Sequence, residues 1–248
     1  MQKVAVARRI LQLLDLTSLN DDDTAQTVIT LCDKADTPFG PVAAVCVWPQ
    51  FVKTAAERLA GSSLRIASVA NFPDGHPDPE PAKKQTMQII RDGGDEVDVV
   101  FPWRNCLDGD FDSGSHLVSG CKSRCGNAVK LKVILETGEL LDDAIIYRAS
   151  RVAIDAGADF IKTSTGKSRV SATLPAARTM LRAIGDAGGG CGLKVSGGIK
   201  TLDDARDYLE LAEVMMGADW ISPESFRFGA SGLLDALLRE LEKSNADL

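Results

Sequence analysis

Ala158-Asp159-Phe160-Ile161-Lys162-Thr163-Ser164-Thr165-Gly166-Lys167 sets a lysine inside an apolar, strand-like run. Thirty-two residues after Lys162, Gly192-Leu193-Lys194-Val195-Ser196-Gly197-Gly198-Ile199 does the same. That interval is the length of a strand plus a helix that returns to the next parallel strand. Working outward, strand-like runs fall at 13–17, 42–48, 65–71, 96–102, 131–136, 160–165, 193–196 and 220–221. Amphipathic helical stretches lie between them, among them 49–60, 80–92, 141–156, 174–187, 202–211 and 232–243. The last puts Leu233, Leu234, Leu237, Leu238 and Leu241 on one stripe. Eight such units over 248 residues average 31 residues each, the arithmetic of a (β/α)8 TIM barrel. The Gly- and Asp-rich patches at 71–81 and 186–192 are short enough to be loops. No low-complexity linker or shift in composition interrupts the alternation, so 1–248 reads as one α/β domain.

Composition narrows the function. With 44% hydrophobic residues the chain can bury a large core. Twenty-eight basic against 35 acidic residues give a formal charge of −7, and no basic block stands out. That argues against a nucleic-acid or acidic-membrane partner but leaves room for an anionic substrate, which needs only local donors. No apolar stretch reaches the 18 or so residues that cross a bilayer. The start, Met1-Gln2-Lys3-Val4-Ala5-Val6-Ala7-Arg8-Arg9, is too polar for a signal peptide and reads as an extra N-terminal helix ahead of the barrel. A cytoplasmic location is the expectation. The six cysteines read as reduced and mostly structural, Cys121 and Cys125 sharing one helix face. Only His76 and His116 are present, in no ligand spacing, so no metal site and no cofactor is expected.

Strand parity sharpens the picture. Val97, Val99 and Phe101 share one face of their strand, and Leu131, Val133 and Leu135 share one face of the next. If these pack on the helix ring, Asp98, Lys132, Lys162 and Lys194 point into the barrel, where branched apolar side chains normally dominate. A set of internal ion pairs would be a purely structural reading, but one carboxylate cannot neutralise three lysines cheaply. The chemical reading is better. A desolvated lysine near another cation loses its proton more readily, and the neutral amine attacks carbonyls.

The lysine strand closely resembles the Schiff-base strand of deoxyribose-phosphate aldolases. So do Asp15-Leu16-Thr17-Ser18-Leu19-Asn20-Asp21-Asp22-Asp23-Thr24 and Asp95-Glu96-Val97-Asp98-Val99-Val100-Phe101-Pro102. Leu131-Lys132-Val133-Ile134-Leu135-Glu136-Thr137-Gly138-Glu139-Leu140 and Phe226-Arg227-Phe228-Gly229-Ala230-Ser231 match as well, in order, over about residues 8 to 242. The resemblance implies a metal-independent class I aldolase, a lyase of deoxyribose phosphate catabolism. It would cleave 2-deoxy-D-ribose 5-phosphate to acetaldehyde and D-glyceraldehyde 3-phosphate. Lys162 would form the imine while Asp98 and Lys194 handle protons. The partners implied are a phosphosugar and an aldehyde, and the assembly a homodimer or a monomer.

Lowering a lysine pKa from about 10.4 toward 7 takes roughly 4.6 kcal/mol of differential interaction. Burial supplies part, and the Lys194 ammonium one strand away would supply much of the rest, with Asp98 as its partner and the proton-transfer group. Asp15, Thr17 and Cys46 are expected near the sugar end, Cys46 serving equally well as a small core filler. Thr165, Gly166 and Lys167 should sit at the mouth. A phosphate would lie against the loops after strands seven and eight, with Gly197, Gly198, Gly229, Ser231 and Gly232 bringing backbone N–H groups close. Lys167 or Lys200 would add charge. Lys132 points inward without an assigned step.

Two departures from the family stand out. Gly232 occupies a position where members often carry a second serine, removing one hydroxyl from the phosphate site. Some members end in a tail bearing a tyrosine that assists a proton step. Here the last residues are Ser244-Asn245-Ala246-Asp247-Leu248, and the only tyrosines are Tyr147 and Tyr208. Slower turnover, or a water in place of the phenol, is the expectation.

Thr165-Gly166-Lys167-Ser168 imitates the end of a P-loop but has Ile161 where the leading glycine belongs. The glycines at 188–190 and 192 do not complete a dinucleotide fingerprint. The nearest rival reading is another Schiff-base phosphosugar aldolase or transaldolase. A phosphate-binding barrel without catalysis is the rival from a different class.

Overall fold

In the computed structural model, residues 3–246 are described, with side chains through Lys243. Eight strands form the barrel: β1 Leu14–Thr17, β2 Ala44–Val47, β3 Arg65–Ala70, β4 Glu96–Val100, β5 Lys130–Ile134, β6 Phe160–Lys162, β7 Gly192–Ser196 and β8 Phe226–Ala230. Every neighbouring pair is parallel, and β8 returns to β1 to close the sheet. Closure leaves no sheet edge to protect, and it forces alternate residues of each strand into an interior that must be filled. The fold is a (β/α)8 TIM barrel.

The helices in chain order are α1 Lys3–Gln12, α2 Ala25–Ala35, α3 Val52–Arg58, α4 Pro79–Arg91, α5 Trp103–Leu107 and α6 Asp112–Cys125. They continue with α7 Thr137–Leu140, α8 Asp143–Asp155, α9 Leu174–Asp186, α10 Leu202–Met216 and α11 Leu233–Ala246. Local signals start several of them. Asp78 caps α4, and Asp142 caps α8 through the Ala144 and Ile145 amides. Thr201 and Asp204 form a capping box on α10. In α9, Ala176, Ala177, Met180, Leu181 and Ile184 recur at helical spacing and are buried on one face. The expected extra helix is α1, which buries Val6, Ala7, Ile10 and Leu11 and packs on α10 and α11. Among the described residues no helix is long and apolar enough to cross a membrane.

The core divides as parity requires. Val97, Val99, Phe101, Leu131, Val133, Leu135, Leu193 and Val195 join the helices in the layer between sheet and ring. A separate small apolar cluster is built on Leu19, Cys46, Ala67 and Val69. Charged side chains fill much of the barrel interior.

One strand differs from expectation. The Trp220–Ile221 pair is not β8: Ala218–Trp220 is a 3-10 turn, and the eighth strand is Phe226–Ala230. Hydrogen bonds between Ser222 and Ser225 and from the Phe226 amide to Ser222 O turn the chain first. Trp220 anchors a loop through Nε1 to Gly189 O at 3.0 Å. The true strand hid because its inward positions carry Arg227 and Gly229, which interrupt an apolar run. β6 also ends at Lys162 rather than at residue 165, although Thr163 N still bonds Lys194 O at 3.0 Å. The comparison of the chain's last residues with a tyrosine-bearing tail falls at 244–248, outside the side chains described.

Candidate active site

The register brings the chemistry together. Lys162 pairs in the sheet with Lys194, Lys194 with Arg227, and Asp98 with Lys132. Because neighbouring residues across parallel strands share a face, all five project inward. With Asp15 and Glu96 they make a buried network of three carboxylates and four cations.

At its lowest level Arg227 bridges Asp15 Oδ1 at 2.6 Å and Glu96 Oε1 at 3.0 Å. Lys132 Nζ lies 2.5 Å from Glu96 Oε2, 2.9 Å from Asp98 Oδ1 and 3.7 Å from Asp15 Oδ2. Above it Lys194 Nζ donates to Asp15 Oδ2 at 2.5 Å and to Asp98 Oδ2 at 2.8 Å. Lys162 Nζ caps the stack, donating to the same Asp98 Oδ2 at 2.8 Å. Lys132 and Lys194 are fully buried, whereas Lys162 lines an open cavity.

This inventory favours Lys162 as the amine that gives up its proton most easily. Four cations face three carboxylates, so the fully ionised set carries one excess positive charge in a poorly solvated interior. Arg227 and Lys194 each hold two carboxylates and Lys132 three, while Lys162 holds only Asp98, shared with two other lysines. Burial accordingly pushes the Lys162 pKa down, Asp98 opposes the shift and the Lys194 charge adds to it. Burial works against Lys194 too, but Asp15 and Asp98 outweigh it and hold that ammonium well above the ordinary lysine range. For Lys132 the balance among burial, Asp98 and Glu96 is also upward. Burial disfavours the Asp98 carboxylate, yet the three lysines overcome it and keep the acid well below its usual range. The sequence expectation of one carboxylate among three lysines therefore missed Asp15 and Glu96 as partners and Arg227 as the fourth cation. Parity could have found two of them, since Glu96 shares the Asp98 face and Arg227 alternates with Phe226 and Phe228.

The cavity, about 390 Å³, opens at the carboxyl ends of the strands. Of the expected substrate-contacting residues, Thr17, Thr165, Gly166, Lys167, Gly197, Gly198, Gly229, Ser231 and Gly232 line it, as does Lys200. Ser196 and Ala230 line it too, within the two loops expected to hold the phosphate, and Leu19, Asn20 and Ile199 line it without having been foreseen. Two expected residues do not reach it. Asp15 is fully buried beneath Lys194, its carboxyl held low by Lys194, Arg227 and Lys132 against the opposing effect of burial. Cys46 belongs to the small apolar cluster, where burial pushes its thiol up, so it packs as a core filler. The glycines here have steric reasons. A Cβ on Gly229 would lie 2.9 Å from Lys194 Cε, so the bare strand face leaves the lysine its path. Gly197, at φ +85°, would carry a Cβ 2.5 Å from Ser171. Lys167 spans the mouth, its Nζ donating to Leu19 O at 2.7 Å and lying 5.9 Å from the centre of the Trp48 ring.

All six cysteines are buried and free. Among the described residues no cluster of three or more His, Cys, Asp or Glu side chains is placed to hold a metal ion.

Known proteins share this fold. The sequence model described as DeoC/LacD family aldolase matches residues 9–238. The apo structure of a protein from Toxoplasma gondii ME49 assigned as a deoxyribose-phosphate aldolase superposes with a TM-score of 0.87 at 28% identity, covering 97% of each chain. An aldolase called QR15 gives 0.81 at 25% identity over 96% of this chain and 98% of its own. The fold also matches a tetrameric deoxyribose phosphate aldolase from Aeropyrum pernix, with a TM-score of 0.73, 24% identity, and 99% and 98% coverage.

Proposed function

The chain belongs to the DeoC/LacD family of aldolases and is a lyase, and from that premise we propose that it cleaves 2-deoxy-D-ribose 5-phosphate to acetaldehyde and D-glyceraldehyde 3-phosphate through an imine on Lys162. It would run the reverse addition as well, as a cytoplasmic enzyme of deoxyribose breakdown. The observation that carries this reading is the position of Lys162, the one amine at the top of the buried charge network that both lines the cavity and has a lowered pKa.

The neutral amine adds to the substrate aldehyde to give a carbinolamine, which loses water to a protonated imine. That cation accepts the electron pair of the C2–C3 bond, which breaks as the C3 hydroxyl loses its proton. The products are glyceraldehyde 3-phosphate and an enamine, and protonation and hydrolysis of the enamine release acetaldehyde. Asp98 is the proposed proton-transfer group, directly or through one water. Its low pKa belongs to the state with three ammonium neighbours. When Lys162 is neutral only two remain, so Asp98 becomes a better base at the stage that needs one. Lys194 remains charged throughout and tunes the Lys162 amine.

The phosphate would sit at the far end of the cavity, against Gly197, Gly198, Ser231 and Gly232, with Lys167 and Lys200 supplying charge. Incubating the purified protein with 2-deoxyribose 5-phosphate tests the reading. Appearance of equimolar acetaldehyde and glyceraldehyde 3-phosphate supports it. Failure of acetaldehyde as a donor, with dihydroxyacetone accepted instead, would assign the site to a different Schiff-base aldolase.

A further inference from the structure

Beside the lysine stack, a buried carboxylate takes no part in the chemistry described. Glu136 follows β5 in the left-handed region, at φ +57° and ψ +55°, a conformation uncommon for a non-glycine residue. Strained backbone of this kind persists where its surroundings hold it, often at functional sites. The turn breaks the strand parity that would otherwise aim residue 136 into the barrel. Its side chain, 2% exposed, bonds the loop after β6 instead. Thr165 donates to it twice, through N to Oε1 at 3.2 Å and through Oγ1 to Oε2 at 2.5 Å. The Thr165 hydroxyl in turn accepts from Lys167 N at 3.0 Å. A chain of hydrogen bonds thus runs from a rigid strand end to the backbone of Lys167, whose ammonium stands at the cavity mouth.

Steric contacts hold the same loop from both sides. A Cβ on Gly138 would fall 1.9 Å from Val170 O, so the turn after Glu136 lies directly against the loop. On the other side Gly197 leaves room for Ser171. The loop between β6 and α9 is therefore wedged between the β5 and β7 loops. Glu136 is the charged group that bonds its cavity-lining part.

We propose that Glu136 is a positioning residue for the phosphate-bearing end of the substrate, fixing Thr165 and through it Lys167 at the mouth of the cavity. The proposal rests on the phosphosugar reading above. Burial raises the Glu136 pKa, and the hydrogen bonds from Thr165 and Ser168 offset part of that rise. Glu136→Gln preserves shape but replaces one acceptor oxygen with an amide donor and removes the charge, so the charge-assisted bond donated by the Thr165 hydroxyl is lost. Glu136→Asp keeps the charge on a shorter stem.

The test pairs inorganic phosphate titration with steady-state kinetics on 2-deoxyribose 5-phosphate and on unphosphorylated 2-deoxyribose. Glu136→Gln should weaken phosphate binding about tenfold, the worth of one charge-assisted hydrogen bond, and raise KM for the phosphorylated sugar by a similar factor. KM for the unphosphorylated sugar should hardly move, and Glu136→Asp should recover part of the loss. Unchanged phosphate affinity in folded Glu136→Gln, or equal losses on both sugars, would overturn the proposal. If the wild-type protein binds phosphate but cleaves neither sugar, the functional reading fails, and the phosphate titration still decides the role of Glu136.

Discussion

Lys162 Nζ and Lys194 Nζ both lie 2.8 Å from a single oxygen, Oδ2 of Asp98. Only Lys194 has a second carboxylate, Asp15. This asymmetry makes two lysines on adjacent strands electrostatically different: Lys194 is the better held as an ammonium, and Lys162 the more easily deprotonated.

Removing the permanent charge should therefore make Lys162 less reactive at neutral pH. Lys194→Leu deletes the like charge and leaves Asp98 freer to pair with Lys162, so the Lys162 pKa should rise, by about one unit or more. The amine is reactive only above its pKa. The acid limb of the kcat/KM profile should accordingly move to higher pH. A limb that stays put would remove Lys194 from the tuning role.

How much of this was legible in the chain follows from what parity can see. Asp98, Lys132, Lys162 and Lys194 stand out because charged residues alternate with apolar ones in short strands, and two-residue periodicity decides their face. Arg227 was missed because its strand was placed at Trp220–Ile221, and Asp15 because a carboxylate near a strand's carboxyl end resembles a substrate ligand. Burial depth along a strand is a three-dimensional quantity. It depends on how side chains fill the barrel, and Asp15 ends up fully buried against Lys194 and Arg227 rather than at the mouth. Glu136 escaped for a related reason, since its left-handed turn re-aims a side chain that strand parity assigns to the interior.

Gly229→Ala should abolish most activity. Its Cβ would press on Lys194 Cε and Ser196 Cβ, both at 2.9 Å, in a strand with no room to yield. Overpacking of this kind costs roughly 1–3 kcal/mol of stability. Chemical denaturation should show that loss, and kcat should fall further than stability alone explains, because the displaced ammonium no longer sits on Asp98.

Arg227→Met removes the cation shared by Asp15 and Glu96. Breaking a buried pair from one side costs about 3–5 kcal/mol, so urea unfolding should shift to markedly lower denaturant. A variant as stable as the parent would mean that Arg227 only fills space.

Acid should weaken the fold through the same network. Asp15 and Asp98 have folded-state pKa values below their ordinary 3.8. Groups depressed in the folded state contribute stability that is present above the unfolded pKa and lost as pH falls toward the folded one. Unfolding free energy should be flat in these two groups near neutrality and decline steadily below about pH 4. Asp98→Asn should flatten part of that decline in a titration followed by circular dichroism.

Reductive trapping tests the central claim most directly. The protein is incubated with acetaldehyde across a pH series, reduced with borohydride, digested and mapped by mass spectrometry. The account predicts an ethyl adduct on Lys162, with trapping that rises through a midpoint below the ordinary lysine range, and no adduct on Lys132 or Lys194. An adduct on Lys194 instead, or no adduct on a folded protein that still cleaves its substrate, would contradict it.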